Sequence, residues 1–180
     1  MLCGEEITLT DEMRKTSDQT ERAMISSGRA WVGIAGAKIN GGITVGNEAK
    51  IVTSTRNTGR EPAMNFTWDL LPLVTTEDDS AFEVQVKSYV DSCFSHQSKK
   101  GSQVLYPSSG FGTGFDFTTS FPKEKIDEDI IAGRKIIAIL GCLVYDTFEK
   151  TRHSTFCYFF KNGTTPVDNL NICAGGTYAD

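Results

Sequence analysis

The chain is short of the residues from which a catalytic or metal centre is usually built. Histidine occurs only at positions 96 and 153, and no two of the five cysteines form a CxxC pair. Cys3, Cys93, Cys142, Cys157 and Cys173 are odd in number and widely spaced, which fits neither a zinc ribbon nor a dense disulfide scaffold. Reduced and mostly buried thiols are the simplest expectation. No Gly-x-Ser or Gly-x-Cys elbow lifts a nucleophile out of a sheet. The stretch "GFGTGF" at 110–115 is not followed by Lys-Ser or Lys-Thr, so it reads as clustered β-turns rather than a phosphate cradle.

Positive charge is scarce as well. The net charge is −5, the isoelectric point is about 5.1, and the densest basic cluster is Lys99–Lys100. Neutralising a phosphate backbone takes many cationic contacts, so no nucleic-acid partner is expected. The longest apolar run, "IIAILGCLVY" at 136–145, is far below the ~18 residues that span a bilayer. The opening "MLCGEEITLTDEMRK" has no apolar core of the kind a secretory leader carries. The chain as given therefore reads as soluble. No internal repeat or low-complexity segment occurs.

What the chain does have is glycine, phenylalanine and alternation. Its 180 residues include 17 Gly and 11 Phe. A domain of this size buries roughly 70% of the surface its unfolded chain exposes, enough for a core without metal or disulfides. Strand patterns occupy 29–40, 49–59, 64–74, a short piece near 103–106, 114–121, 134–147 and 153–161, and the tail 167–180 offers a last short strand. Gly41–Gly42 can turn the chain, and "NTGREPA" at 57–63 reads as a loop in which Gly59 takes positive φ. Trp31 and Trp68 read as core anchors.

Between these strands, Phe82, Val86, Tyr89, Val90, Cys93 and Phe94 form a helical stripe within 76–97, with Thr76 and Asp79 as a short capping box. A polar helical turn is expected in 123–133. Residues 7–27 read as a polar helix: Leu9, Met13, Thr16, Thr20, Ala23 and Ser27 follow heptad spacing with a weak seam, and Gly28 ends it. The fold class expected is mainly β: an antiparallel immunoglobulin-like β-sandwich over 29–180 with one inserted amphipathic helix, preceded by a stalk helix at 1–28.

The chemistry-bearing stretch is "YDTFEKTRHSTFC" at 145–157. A two-residue turn centred on Glu149–Lys150, or a four-residue loop over 148–151, places Asp146 opposite His153, Val144 opposite Thr155 and Cys142 opposite Cys157, all on one side of the hairpin. That register predicts a structural Asp146–His153 cross-strand pair and brings Cys142 near enough to Cys157 for a disulfide. It argues against an Asp146–His153–Cys157 catalytic triad, because residues four apart on a strand lie ~13 Å apart. No catalytic residue, bound metal or cofactor is expected. Two alternatives stay open: a thiol or metal site centred on His153, Cys157 and Cys173, and a Cys157–Cys173 disulfide in an oxidising compartment. His96 lies beyond the helical stripe and is expected to be solvated.

"SSGRAWVGIAG", "STRNTGREPAMNF", "VYDTFEKTRHSTFCYFF" and "NICAGGTYAD" together resemble a domain of uncharacterised bacterial proteins. The resemblance covers 27–68 and 141–180. It rests on Arg29, Ala30 and Trp31, on Asn57, Thr58, Gly59, Arg60, Pro62 and Ala63, and on Tyr145, Asp146, Phe148, His153, Thr155, Phe156, Cys157 and Cys173. Glu149 departs from it, standing where glycine is usual. The resemblance implies a β-sandwich head on a stalk, tethered to a membrane by a segment absent from this chain, with no established activity. The function expected is non-catalytic binding of a protein or cell-envelope partner. Self-association through the N-terminal helix and a purely spacing role are further readings.

Overall fold

The computed structural model describes residues 28–76, 80–98, 103–108, 114–148, 150–163, 170–173 and 177–180. The stalk helix and its heptads, Cys3, the acidic helix start at 77–79 and most of the "GFGTGF" cluster lie outside those residues.

Period-two alternation builds the molecule. β1 (Val32–Asn40), β2 (Ala49–Asn57) and β5 (Gly114–Phe121) form a three-stranded antiparallel sheet in the order β1-β2-β5. The larger sheet contains β3 (Ala63–Thr75), β4 (Gln103–Leu105), β6 (Ile136–Asp146), β7 (Thr151–Phe160) and β8 (Asn171–Ile172) in the order β4-β3-β6-β7-β8, and β9 (Tyr178–Ala179) also pairs with β7. Gly41 and Gly42 both take positive φ just after β1, as a turn there requires. Pro72 has no N–H to give, and it is tolerated because, among the described residues, β4 pairs with β3 only at Ala63 and Phe66, which leaves the rest of that side as an edge.

The two sheets face one another across a shared core. β6 is central and almost wholly buried. Its odd-numbered residues point to the small sheet: Ile137 and Ile139 pack with Ala37, Ile39, Ile51 and Phe121, and Leu143 and Tyr145 pack with Val32, Phe66, Phe117 and Phe156. Each such fully buried aliphatic or aromatic side chain contributes roughly 1.5–3 kcal/mol. Gly141 gives up its side chain to make room, since a Cβ there would stand 1.9 Å from the Phe156 ring.

The even-numbered residues of β6 point the other way, towards α1 (Ser80–Cys93). Phe82, Val86 and Val90 of α1 cover Ile136, Ala138, Leu140 and Cys157, so the helical stripe forms a third layer. Tyr89 fastens that layer: its hydroxyl donates to the Asp69 carbonyl of β3 at 2.9 Å. Burial, reinforced by the Asp69 carboxylate, raises the phenol's pKa. A 3-10 turn at Lys123–Lys125 and α2 (Glu128–Ile131), capped by the Asp127 carboxylate on the Ile130 N–H, lead into β6.

The tryptophans depart from expectation. Trp31 and Trp68 are 38% and 41% exposed. Neither is a buried anchor: Trp31 carries the Arg29 guanidinium on its ring, and Trp68 packs against Phe117 and Phe66, with ring centroids 4.4 and 5.9 Å away. Gly59 departs too. It lacks a positive φ, and it is needed for close approach instead, since a Cβ would meet the Arg29 carbonyl at 2.1 Å. The hub of that loop is Asn57, fully buried at the end of β2. Its Oδ1 accepts from the N–H groups of Trp31 and Gly59, and its Nδ2 donates to the carbonyls of Glu61 and Leu105. The side chain is saturated, so the "NTGREPA" loop is built around a structural asparagine.

A stapled cleft as the candidate functional site

The β6–β7 hairpin closes two residues away from the expected register. The Thr147 N–H donates to the Lys150 carbonyl at 3.0 Å and the Thr147 hydroxyl to the same carbonyl at 3.2 Å, so 147–150 form a four-residue loop. Val144 then lies opposite His153, Cys142 opposite Thr155 and Leu140 opposite Cys157. The faces are those expected, because the slip is even, but every opposed pair changes.

Asp146 and His153 are therefore not a cross-strand pair. Asp146 lies opposite Thr151 and accepts from its hydroxyl at 2.8 Å, from the Asn65 amide at 2.8 Å and from the Ser98 hydroxyl at 2.7 Å. His153 is 6% exposed and joins two other segments. Its Nε2–H donates to the His96 carbonyl at 2.8 Å, just beyond α1. Its backbone N–H donates to Asp180 Oδ1 at 2.6 Å, and its Nδ1 stands 3.4 Å from Asp180 Oδ2. The imidazole is thus a clamp between the end of the helix and the tail. His96 is half-buried rather than solvated, with Nδ1 3.8 Å from Cys142 Sγ.

The four described cysteines are paired rather than reduced. Cys157 is bonded to Cys173, and Cys142 to Cys93 at the last turn of α1 rather than to Cys157. The reason is topological. Cys142 and Cys157 share the outward face, but the observed register offsets them along it, and each finds its partner in a segment laid over the sheet. Asp146, His153 and Cys157 accordingly do not assemble into a triad. His153 is ~13 Å along the strand from Cys157, whose sulfur is already bonded. Among the described residues, no three His, Cys, Asp or Glu side chains are placed to hold a metal, and His153 does not join Cys157 and Cys173.

The Cys157–Cys173 staple borders a concavity of about 880 Å³ between α1 and the outer strands. Phe82, Val86 and Val90 form its helical wall, Ile136, Phe159 and Cys173 its floor, and Ile172 and Tyr178 its far side. Glu83, Lys87 and Asp91 stand at the helical rim, and Phe94 closes one end. Ile172 and Tyr178 are 61% and 51% exposed, an unusual amount of apolar surface for a two-residue strand and its neighbour. The size and the mix of apolar wall and polar rim suit a ligand site.

Sequence reasoning located the helical wall but not the cleft, since its far side comes from β8 and β9, two short strands where one was expected. The alternation of Ile172 with Cys173 was the available signal: one side chain faces out while its neighbour is anchored. Among the described residues, no helix is long and apolar enough to cross a membrane. No family model, curated protein or solved structure matches the chain.

Proposed function

We propose that this chain is a non-catalytic binding domain whose ligand face is the cleft between α1 and the β7–β8–β9 edge. The observation that carries the reading is that cleft: an apolar concavity walled by a helix and by two-residue strands, with a disulfide at its floor and another at the end of its helical wall. Rigid walls lower the ordering cost of binding. The cysteine that lines the cleft, Cys173, is bonded to Cys157 and is no free nucleophile, which supports binding over catalysis.

In the finer reading, the domain is an immunoglobulin-like head of a bacterial membrane-associated protein, carried on the helix expected at 1–28 and engaging a protein or cell-envelope partner. The sequence resemblance supports the tether and the stalk. The disulfides support exposure to an oxidising compartment outside the cytoplasm. Immunoglobulin domains place their disulfide between the two sheets, whereas here both lie on the outward face of one sheet, so any kinship is architectural.

The test is an NMR titration of the oxidised protein with a library of short peptides rich in apolar and aromatic residues. Binding is expected to shift resonances of α1, β8 and β9, and Val86→Glu, which places a charge in the helical wall, is expected to abolish it while the β-sheet signals persist. Shifts confined to the small sheet, or none across the library, would overturn the reading.

A further inference from the structure

A second feature lies on the opposite, inward face of the large sheet and does not depend on the cleft. Arg152 projects inward from β7, directly across the ladder from Tyr145, and is only 9% exposed. Among the described residues its Nε has no hydrogen-bond partner, and neither has the Nε of Arg29. Arg29 lies flat on Trp31, with its guanidinium carbon 3.4 Å from the ring centroid. Both guanidinium groups belong to one end of the sandwich: Arg152 lies across the ladder from Tyr145, whose hydroxyl meets the Val32 N–H, and Arg29 stacks on Trp31, the residue before Val32. In keeping with that placement, burial first, then the charge of Arg152, lowers the pKa of Arg29, with Tyr145 and Asp180 acting the other way. An arginine does not shed its proton under such pressure, so both charges persist.

The neighbours deepen the imbalance. Tyr145 is fully buried, and its hydroxyl oxygen accepts from the Val32 N–H at 3.4 Å, which leaves its O–H to donate. Asp180 is the carboxylate within electrostatic reach of Arg29. Its oxygens, however, are turned to His153, Oδ1 taking the backbone N–H and Oδ2 facing the ring. Three donors are gathered here, two of them cationic, and none has an acceptor among the described residues. A buried cation left in that state is strongly disfavoured. Water would satisfy the hydrogen bonds but would not relieve the repulsion between like charges. An anion does both, and the planar fork of arginine matches a carboxylate or phosphate two bonds at a time.

We propose that Arg29, Arg152 and the Tyr145 hydroxyl form a binding site for an oxyanion, a phosphate or carboxylate group, at the Trp31 end of the sandwich. Trp31 holds the Arg29 side chain in place, and Tyr145 fixes the approach from below. The site takes the oxyanion either as a free ion or as the terminal group of a larger ligand.

The experiment follows the arginine Nε–H resonances and the melting temperature of the whole oxidised chain during titration with inorganic phosphate or acetate, with sodium chloride holding ionic strength constant. The expected result is a saturable shift of the Arg152 and Arg29 Nε–H signals at millimolar anion, together with a rise of a few degrees in melting temperature. Response to phosphate alone assigns a phosphoryl ligand, and response to acetate alone a carboxylate. Arg152→Gln is expected to abolish the response, and Arg152→Lys, which keeps the charge but not the fork, to weaken it several-fold. If Arg152→Gln does not fold, Arg29→Gln at the half-buried position serves the same purpose. Nε–H signals that respond to neither anion beyond the chloride control, or a response that persists in Arg29→Gln, would overturn the proposal.

Discussion

The two faces of the central sheet are held by different means. The inward face is held by packing: Ile137, Ile139, Leu143 and Tyr145 of β6 mesh with the small sheet, and no cysteine lies among them. The outward face is held by covalent staples: Cys142 and Cys157 are tied to α1 and to the tail, under a helix that covers only part of the surface. A face closed by a second sheet needs no further fixing. A face left half open, with a cleft of about 880 Å³ beside its helix, keeps its shape through disulfides. The difference separates a structural face from a displayed one.

The comparison is sharpened most by removing packing from the inward side. Phe121 is fully buried in the core between the sheets. Phe121→Ala is expected to cost roughly 3–5 kcal/mol in urea denaturation, by the same amount with and without dithiothreitol. A loss that depends on reductant would break the separation of the two faces. On the outward side, replacing both Cys93 and Cys142 with Ala opens a loop with a sequence separation of 49 and is expected to cost about 4 kcal/mol. The Cys157→Ala, Cys173→Ala pair, with a separation of 16, is expected to cost about 3 kcal/mol. Both double variants are expected to keep the inward-face NMR contacts between Phe121 and Ile139, and their loss would show that the core is not self-sufficient.

The smallest effect concerns the helix clasp. Tyr89→Phe removes one hydrogen bond to Asp69 and is expected to cost about 1 kcal/mol. It also carries a pH signature. Because the folded phenol has a raised pKa, the unfolded chain loses its proton first. Stability from Tyr89 is then complete below about pH 10 and declines above it. Alkaline denaturation curves of the wild type and Tyr89→Phe are expected to converge as the pH rises past that value, and parallel curves would contradict the clasp.

The parts of this arrangement that depend on period were legible in the sequence. Alternation assigned the right faces to β6 and β7, and the stripe Phe82, Val86, Val90 and Cys93 marked the buried side of α1. What depends on distant closure was not. Thr147 and Lys150 set the hairpin register through a loop bond that no alternation reveals, and a two-residue slip leaves every face unchanged while replacing every partner. Asp146 was thereby matched with His153, whose true partners, His96 and Asp180, lie 57 and 27 residues away in the chain. The disulfides follow the same rule, since Cys93 meets Cys142 only once α1 has folded back over β6. Asn57 looked like a turn residue because its neighbours are turn formers, yet it is a buried hub. Arg152 carried a readable signal, a charge on the side of β7 that Phe156 and Phe160 keep apolar, but its pairing with Tyr145 required the true register.

The most direct test of the two-face account is disulfide mapping of the non-reduced protein, by proteolysis and mass spectrometry after alkylation of free thiols. The account predicts linked peptides joining Cys93 to Cys142 and Cys157 to Cys173. A Cys142–Cys157 link, or free thiols at all four positions in protein produced under oxidising conditions, would contradict it.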